Sequence, residues 1–403
     1  MSPTMPTEQF DVAIVGGGLV GSALACALAE SALRICVIEA NLFDRDWPQD
    51  EYDARVCALT PATARWLASL NVWPGIESER HAAFDQVRVW DGDGTADIHF
   101  SAVELGIPQL GYIVENRVAL KCLRDQLSNY DNVTLLCPEV VEEIVESHPA
   151  RLKLQNGPSI MARLLVAADG ALSQVRQLSK FKTVEWSYGH AAIVTTVQAE
   201  RPHDGRALHR FSSEGPLAFL PLPATDGSQQ SHNYSIVWCK SPERVSELLQ
   251  LNKEDLCRAL AEDFEYYLGS IENIARCASY PLRQRHALGY VKEGVVLIGD
   301  AAHTIHPLAG QGVNIGYRDA AVLAEVVQQA HGSNQDIGAL RVLRRYQRRR
   351  LGPNLVMGGL MEGFKQLFAI QQPSVQWLRN LGVRTLDQQS LLKNEIVRSV
   401  LGS

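Results

Sequence analysis

The chain has 403 residues, of which 46% are hydrophobic and 21% charged. That is the balance of an ordinary globular protein, so disordered, collagen-like and bare coiled-coil chains are excluded and two or three domains are expected. Its 38 Lys+Arg and 45 Asp+Glu give a net charge of −7, which excludes a globally basic nucleic-acid binder.

A first strand is predicted over Phe10–Val15, an apolar run broken only by Asp11. Gly16-Gly17-Gly18 follows, then an Ala-rich helix over Ser22–Ala32 and a second strand over Arg34–Ile38, which together read as a βαβ opening. Thr60-Pro61 marks a helix start, Thr60 as N-cap and Pro61 at the first helical position, with the helix running to about Leu70. A further helix begins near Asn116 and reaches Leu127, and strands are expected at Val133–Leu136, Arg151–Leu154 and Leu164–Ala167. From Trp186 to Pro281 the pattern changes. It alternates at Ala192–Val197, Leu217–Leu222 and Tyr234–Trp238, the signature of a half-buried antiparallel sheet, with helices over Pro242–Gln250 and Lys253–Leu268. Val295–Ile298 returns to a buried strand, a helix starts at about Val313, and the chain from Leu340 is mostly helical. The fold class is α/β: a Rossmann-type nucleotide-binding domain (1–78, 104–182 and 286–340), an inserted and mostly antiparallel β domain (79–103 and 183–285), and a helical C-terminal segment (341–403).

Eight cysteines are scattered without a CxxC pair, which reads as reduced thiols rather than a disulfide framework or zinc site, and no metal is expected. No basic residue precedes Arg34, so a secretory signal lacks its positive start, and no apolar run is long enough to span a bilayer. The expected location is the cytoplasm, with peripheral contact to the inner membrane. That contact is suggested by charge asymmetry. From Arg341 onward eleven basic residues face three acidic ones, a net of +8 that leaves the first 340 residues at −15. The arginines at 341, 344, 345, 348, 349 and 350 precede apolar Leu355, Met357, Leu360, Phe364, Leu367 and Phe368. Such a basic amphipathic stretch over 341–368 fits an anionic membrane surface or partner subunits. A homo-oligomer is compatible with the sequence, which fixes no stoichiometry.

Gly16-x-Gly18-x-x-Gly21 lies between a strand and a helix. Gly16 permits the tight turn, Gly18 lets the backbone approach a pyrophosphate, and Gly21 lets the helix pack close to the strand. The phosphates then meet the free N–H groups of the helix start. Glu39 ends the second strand eighteen residues past Gly21, where a carboxylate accepts hydrogen bonds from an adenosine ribose. This motif alone does not separate FAD from NAD. A second motif runs from Val295 through Gly299-Asp300-Ala-Ala-His303-Thr-Ile-His306-Pro307-Leu-Ala-Gly310-Gln311-Gly312-Val313-Asn314. A third is Ala168-Asp169-Gly170-Ala-Leu-Ser173-x-x-Arg176.

The second motif resembles the class A flavoprotein aromatic hydroxylases related to para-hydroxybenzoate hydroxylase. In that family the Gly-Asp pair binds the FAD ribityl chain, and Asp300 matches its aspartate. The resemblance implies that the loop from Pro307 to Asn314, with Gly310, Gly312 and Val313, lies beside the flavin ring. The helix N-terminus after it would stabilise negative charge on the reduced flavin. The third motif resembles the family's Asp-Gly motif, so Asp169 is implied to help bind FAD and the reduced nicotinamide. Arg55 matches an arginine near the cofactor phosphates, and Arg117 a position at a helix start. On Leu110–Asn116, Ala218–Leu222 and Leu378–Gly382 the resemblance narrows to the ubiquinone-biosynthesis hydroxylases and covers Asp11 to about Leu401. Arg283-x-Arg285-His286 and Asn314-x-Gly316-Tyr317-Arg318-Asp319 lean toward members acting on the methoxy-methyl benzoquinol precursor. Glu200-x-Pro202-His203-Asp204 leans toward those acting on 2-polyprenylphenol, so the ring position stays open.

The implied fold is that of para-hydroxybenzoate hydroxylase, and the implied activity is an FAD-dependent monooxygenase. It would use NADH or NADPH and O₂ to hydroxylate a polyprenylated phenol or benzoquinol through a C4a-hydroperoxyflavin. Only one complete dinucleotide fingerprint is present, and one is enough where the nicotinamide binds transiently. His306 is a candidate for proton transfer because it titrates near neutrality, Pro307 shapes the loop through its fixed φ, and His303 reads as a structural hydrogen bond. Phe219, Leu220 and Pro221 are expected on the insert's sheet facing the flavin, where the family forms its substrate cavity. A polyprenyl tail adds an apolar channel, at about 25 cal/mol per Å² buried. Two alternatives remain: a hydroxylase of a smaller soluble aromatic, and a flavin-bearing subunit of a biosynthetic complex with little turnover. A flavin halogenase is disfavoured because no Trp-x-Trp-x-Ile-Pro run is present.

Overall fold

The computed structural model describes residues 7–43, 46–48, 51–225, 228, 230–304 and 312–369. Its first sheet has five parallel strands in the spatial order Val295–Leu297, Ile160–Ala167, Glu8–Val15, Ile35–Ile38, Val133–Leu136. Ile160–Ala167 also carries an antiparallel branch, Ala150–Leu154 and then Val141–Ser147. The central strands read as unbroken apolar runs because they are buried on both faces, as parallel strands under helices are. The helix Leu19–Ala29 packs against Asn116–Leu127 and Gly312–Gly332, and the latter packs against the long C-terminal helix Leu340–Ala369. Most of Leu19–Ala29 is buried, so its alanines let two helices and the strands Glu8–Val15 and Ile35–Ile38 crowd around it.

The second sheet is mostly antiparallel. Its order is His303–Thr304, Ala278–Ala287, Thr183–Ala199, Asn233–Lys240, Leu217–Pro221, Arg206–Phe211, Gln86–Asp91, Asp97–Ser101, with one parallel join between Arg206–Phe211 and Gln86–Asp91. One face packs Phe219, Trp238 and Trp90 on Leu256, Leu260 and Phe264 of the Lys253 helix and its exit. The other face carries Ala207, Leu220 and Leu222.

A three-stranded sheet joins the two cores. It consists of Val56–Leu59, Gly111–Glu115 and His81–Phe84. Strand alternation sends Cys57, Leu59 and Val114 into the first core and Ala58, Ile113 and Phe84 into the second. Successive side chains of a strand point to opposite faces, so one short sheet serves both cores.

Several expected boundaries shift. The strand read as Ala192–Val197 spans Thr183–Ala199. The helix read as Lys253–Leu268 stops at Asp263, because Glu265 and Tyr266 take left-handed φ values of 56° and 51° that a helix cannot carry. The 79–103 stretch divides, since His81–Phe84 joins the small sheet while Gln86–Asp91 and Asp97–Ser101 join the large one. The arginine run is not one solvated face. Arg350 is buried, Arg349 pairs with Glu325 at 2.7 Å and Arg345 donates to Gln335 at 3.0 Å. Arg341, Arg344 and Arg348 remain exposed. All eight cysteines are free. Among the described residues no helix is long and apolar enough to cross a membrane.

Candidate active site: a dinucleotide cleft between two aspartate turns

The carboxyl ends of the parallel strands open into a cleft of about 580 Å³, lined by Gly16–Gly18, Glu39, Arg55, Arg124 and Asp169 among others. Gly16 holds φ +104°, and a Cβ there would lie 2.3 Å from the Ala168 carbonyl oxygen. A Cβ on Gly21 would lie 1.9 Å from the Gly16 carbonyl oxygen, so strand and helix meet at a distance no other residue allows. A Cβ on Gly18 would meet nothing within 4 Å. That open side, beside a helix start without a side-chain cap, is where an anion can reach unpartnered backbone N–H groups.

Glu39 is fixed at the end of its strand. Its Oε2 accepts from the Gly17 N–H and its Oε1 from the Asn41 N–H, both at 2.8 Å. Oε1 also accepts from Asn41 Nδ2 at 3.3 Å, which leaves Oε2 with a lone pair for a sugar hydroxyl. Asp169 Oδ2 accepts from the Val175 N–H at 3.0 Å, while its Oδ1 is buried without a partner. A buried acceptor in that state costs free energy, and the hydroxyls of a bound FAD would satisfy it. The donor and acceptor set therefore fits that cofactor.

Asp300 leaves the end of the Val295 strand on a turn in which Gly299 takes φ +56°. The residue is exposed on that turn, although much of the protein packs around it. The surrounding protein pushes its carboxyl up from the ordinary range, while the charges of His303 and Arg55 pull it back down. Arg176 ties the two aspartate turns together. It is buried and donates to the Ala171 carbonyl at 2.8 Å and the Ala301 carbonyl at 2.9 Å. His303 is buried, with Nε2 2.5 Å from Asp319 Oδ2.

Some expected contacts fall elsewhere. Arg117 pairs with Glu115 at 2.8 Å, donates to the Glu51 carbonyl and lies over the Trp47 ring, so its guanidinium is committed away from the cleft. Arg124, two helical turns further on, lines the cleft instead. Its Nη2 donates to the Gly17 carbonyl at 3.3 Å, its guanidinium sits over the Phe43 ring, and its Nε is buried without a partner. Sequence reasoning passed over Arg124, although a charge among buried Val118, Cys122, Leu123 and Leu127 is a visible signal on an amphipathic helix. The Asn314 side chain is likewise committed. It donates to the Ala58 carbonyl at 2.7 Å and accepts from the Thr60 N–H at 3.0 Å and the Thr63 hydroxyl at 2.7 Å, stitching the Gly312 helix to its neighbours. Val313 packs against the first core, and Gly312 begins its helix with open space at its Cβ position. His306, Pro307 and Gly310 lie outside the described residues.

The three residues expected to face the flavin together do not share a face. Phe219 is fully buried and stacks on Phe264 with ring centroids 3.9 Å apart, on the side of the sheet that meets the Lys253 helix. Leu220 points the other way, toward Ala58, Leu110 and Ile113, and Pro221 falls back on the parity of Phe219.

The family described as FAD binding domain matches residues 9–351, a span that takes in both aspartate turns and the whole inserted sheet. The chain belongs to that family. Among relatives in it, the 3-demethoxyubiquinol 3-hydroxylase of Escherichia coli (strain K12) is 36% identical over 400 residues, covering 99% of this chain and 100% of that protein. Ubiquinone hydroxylase UbiL of Rhodospirillum rubrum is 35% identical over 398 residues, 98% of this chain and 90% of that one. The mitochondrial ubiquinone biosynthesis monooxygenase COQ6 of Xenopus tropicalis is 32% identical over 447 residues, 98% and 94%. Among solved structures, p-nitrophenol 4-monooxygenase PnpA from Pseudomonas putida DLL-E4 superposes with a TM-score of 0.78 at 20% identity, covering 98% of this chain and 99% of that one. That likeness shows the fold. This member of the FAD binding domain family is an FAD-dependent monooxygenase.

Proposed function

We propose that this monooxygenase hydroxylates the aromatic ring of a polyprenylated phenol or benzoquinol in ubiquinone biosynthesis, with NADH or NADPH as electron donor and O₂ as co-substrate. One observation carries the reading: end-to-end identity of 36% to a protein named for that reaction on demethoxyubiquinol. We further assign the FAD-binding role to 1–78, 104–182 and 286–340, and the substrate role to 79–103 and 183–285.

FAD held by these residues would supply the redox chemistry, hydride acceptance from a nicotinamide and activation of O₂ toward an electron-rich ring. This chain's residues do the rest. Gly16, Gly18 and the Leu19 helix start receive the pyrophosphate, Glu39 accepts from the adenosine ribose, and Asp169 and Asp300 accept hydroxyls of the remaining chain. Arg55 and Arg124 balance the phosphate charge. Glu39 belongs to the FAD site and leaves the choice of nicotinamide open. Work on a polyprenylated ring brings the protein to a membrane surface, and the exposed Arg341, Arg344 and Arg348 suit an anionic one.

The test is NAD(P)H consumption by the purified flavoprotein, with product identified by mass spectrometry. A prenylated demethoxy-benzoquinol should stimulate consumption and emerge one oxygen heavier. Stimulation by small soluble phenols alone would reassign the substrate, and no stimulation by any ring would favour a non-catalytic subunit.

A further inference from the structure

We propose that Asp319 is a positioning residue for the turn that presents Asp300, and that Arg350 and Asn354 of the C-terminal helix hold it in place. Docking of that helix then sets the affinity for FAD. The inference rests on the reading of Asp300 as an FAD contact.

Asp319 sits on the Gly312–Gly332 helix with no exposed surface. Its Oδ2 accepts from the Gly299 N–H at 3.1 Å and meets His303 Nε2 at 2.5 Å. Its Oδ1 accepts from Arg350 Nε at 2.7 Å and Asn354 Nδ2 at 3.1 Å. Arg350 in turn donates to Asn354 Oδ1 at 2.6 Å. The two groups gripped on the turn, at 299 and 303, bracket Asp300. On its other side the turn packs close to the Leu19 helix, since a Cβ on Gly299 would lie 3.3 Å from the Val20 side chain. Asp319 therefore fixes both ends of the segment that aims Asp300.

The energetics favour positioning over bulk stability. Burial alone would raise the Asp319 carboxyl; the charges and hydrogen bonds of His303 and Arg350 outweigh it and hold the group ionised, below the ordinary range. A buried ion pair contributes little net stability compared with apolar packing, and its best-attested use is to fix register. Here the register is that of a helix beginning at Leu340 against a turn at 299–303.

The test measures FAD dissociation constants of full-length variants by titration of flavin fluorescence. Arg350→Met is expected to weaken FAD binding about 30-fold, the scale of a lost charge-assisted hydrogen bond. It should also shift the visible spectrum of the bound flavin. Arg350→Lys should recover most of the loss, since it keeps the charge. Arg349→Met, which removes only the pair with Glu325, should leave affinity within twofold. Asn354→Ala supplies an independent variant if Arg350→Met does not fold. A folded Arg350→Met or Asn354→Ala that melts earlier but binds FAD within twofold of the parent overturns the inference, because a purely structural role predicts that result. Asp300→Asn separates the two readings. If it weakens FAD while Arg350→Met does not, only the positioning role falls; if it too leaves affinity unchanged, the Asp300 contact falls and the inference with it.

Discussion

A guanidinium nitrogen buried without a partner is costly, and Arg124 Nε is one at the wall of the cleft. Removing such a group from the FAD-free protein loses little, because the penalty leaves with it. Arg124→Met is therefore expected to change the thermal midpoint of the FAD-free protein by a few degrees at most. FAD affinity should fall by about 10- to 100-fold, the worth of a charge-assisted contact, measured by fluorescence titration. Single residues were also where sequence reasoning was least informative. The glycines and Glu39 were legible because each obeys a backbone rule at fixed spacing. Arg117 is suggested only by resemblance at a helix start, and nothing in the sequence shows that Glu115 and Glu51 already engage it. Phe219 and Leu220 were grouped as neighbours in a motif, whereas strand alternation had already sent them to opposite faces.

At the scale of elements, long periodic segments were readable and short buried ones were not. Pro61–Ser69 and Asn116–Leu127 announced themselves by a cap and an apolar stripe. Val56–Leu59 and His81–Phe84 have four residues each, too few for alternation to separate strand from loop, so the sheet joining the two cores was invisible. The Arg206–Phe211 strand carries a different consequence. His209 is buried there and takes up a proton only below about 4, whereas the unfolded chain does so near 6.5. Between those values the unfolded state binds more protons, so stability is complete above about pH 6.5 and falls as the solution is acidified. The slope is about 1.4 kcal/mol per pH unit for this group. Thermal melts from pH 7 to 4.5 should show that decline, and His209→Gln should make it shallower, with His286, which burial also pushes down to about 4, keeping part of it.

For the whole molecule, the order of the chain and the order of the sheet disagree, and that disagreement has a consequence in time. The Ile160–Ala167 strand is laid down with its edge covered by Ala150–Leu152 at residues 160–162 but open at Leu165–Ala167, whose parallel neighbour Val295–Leu297 is synthesised about 130 residues later, on the order of ten seconds at ribosomal speed. The strands Thr183–Ala199, Arg206–Phe211, Leu217–Pro221 and Asn233–Lys240 between them pair with one another or with Gln86–Asp91, Ile271–Ile274 and Ala278–Ala287, partners all made before residue 295, and need not wait. Nascent chains arrested before residue 295 should therefore protect the Trp238 core from limited proteolysis while the chain at Leu165–Ala167 is still cut, and should capture no FAD. Protection of both regions in the arrested chain would refute this order. An apolar strand edge left open that long is a pairing template for other chains. The cost of threading one sheet through the middle of another thus falls on the period of synthesis, when the nascent protein depends most on chaperones.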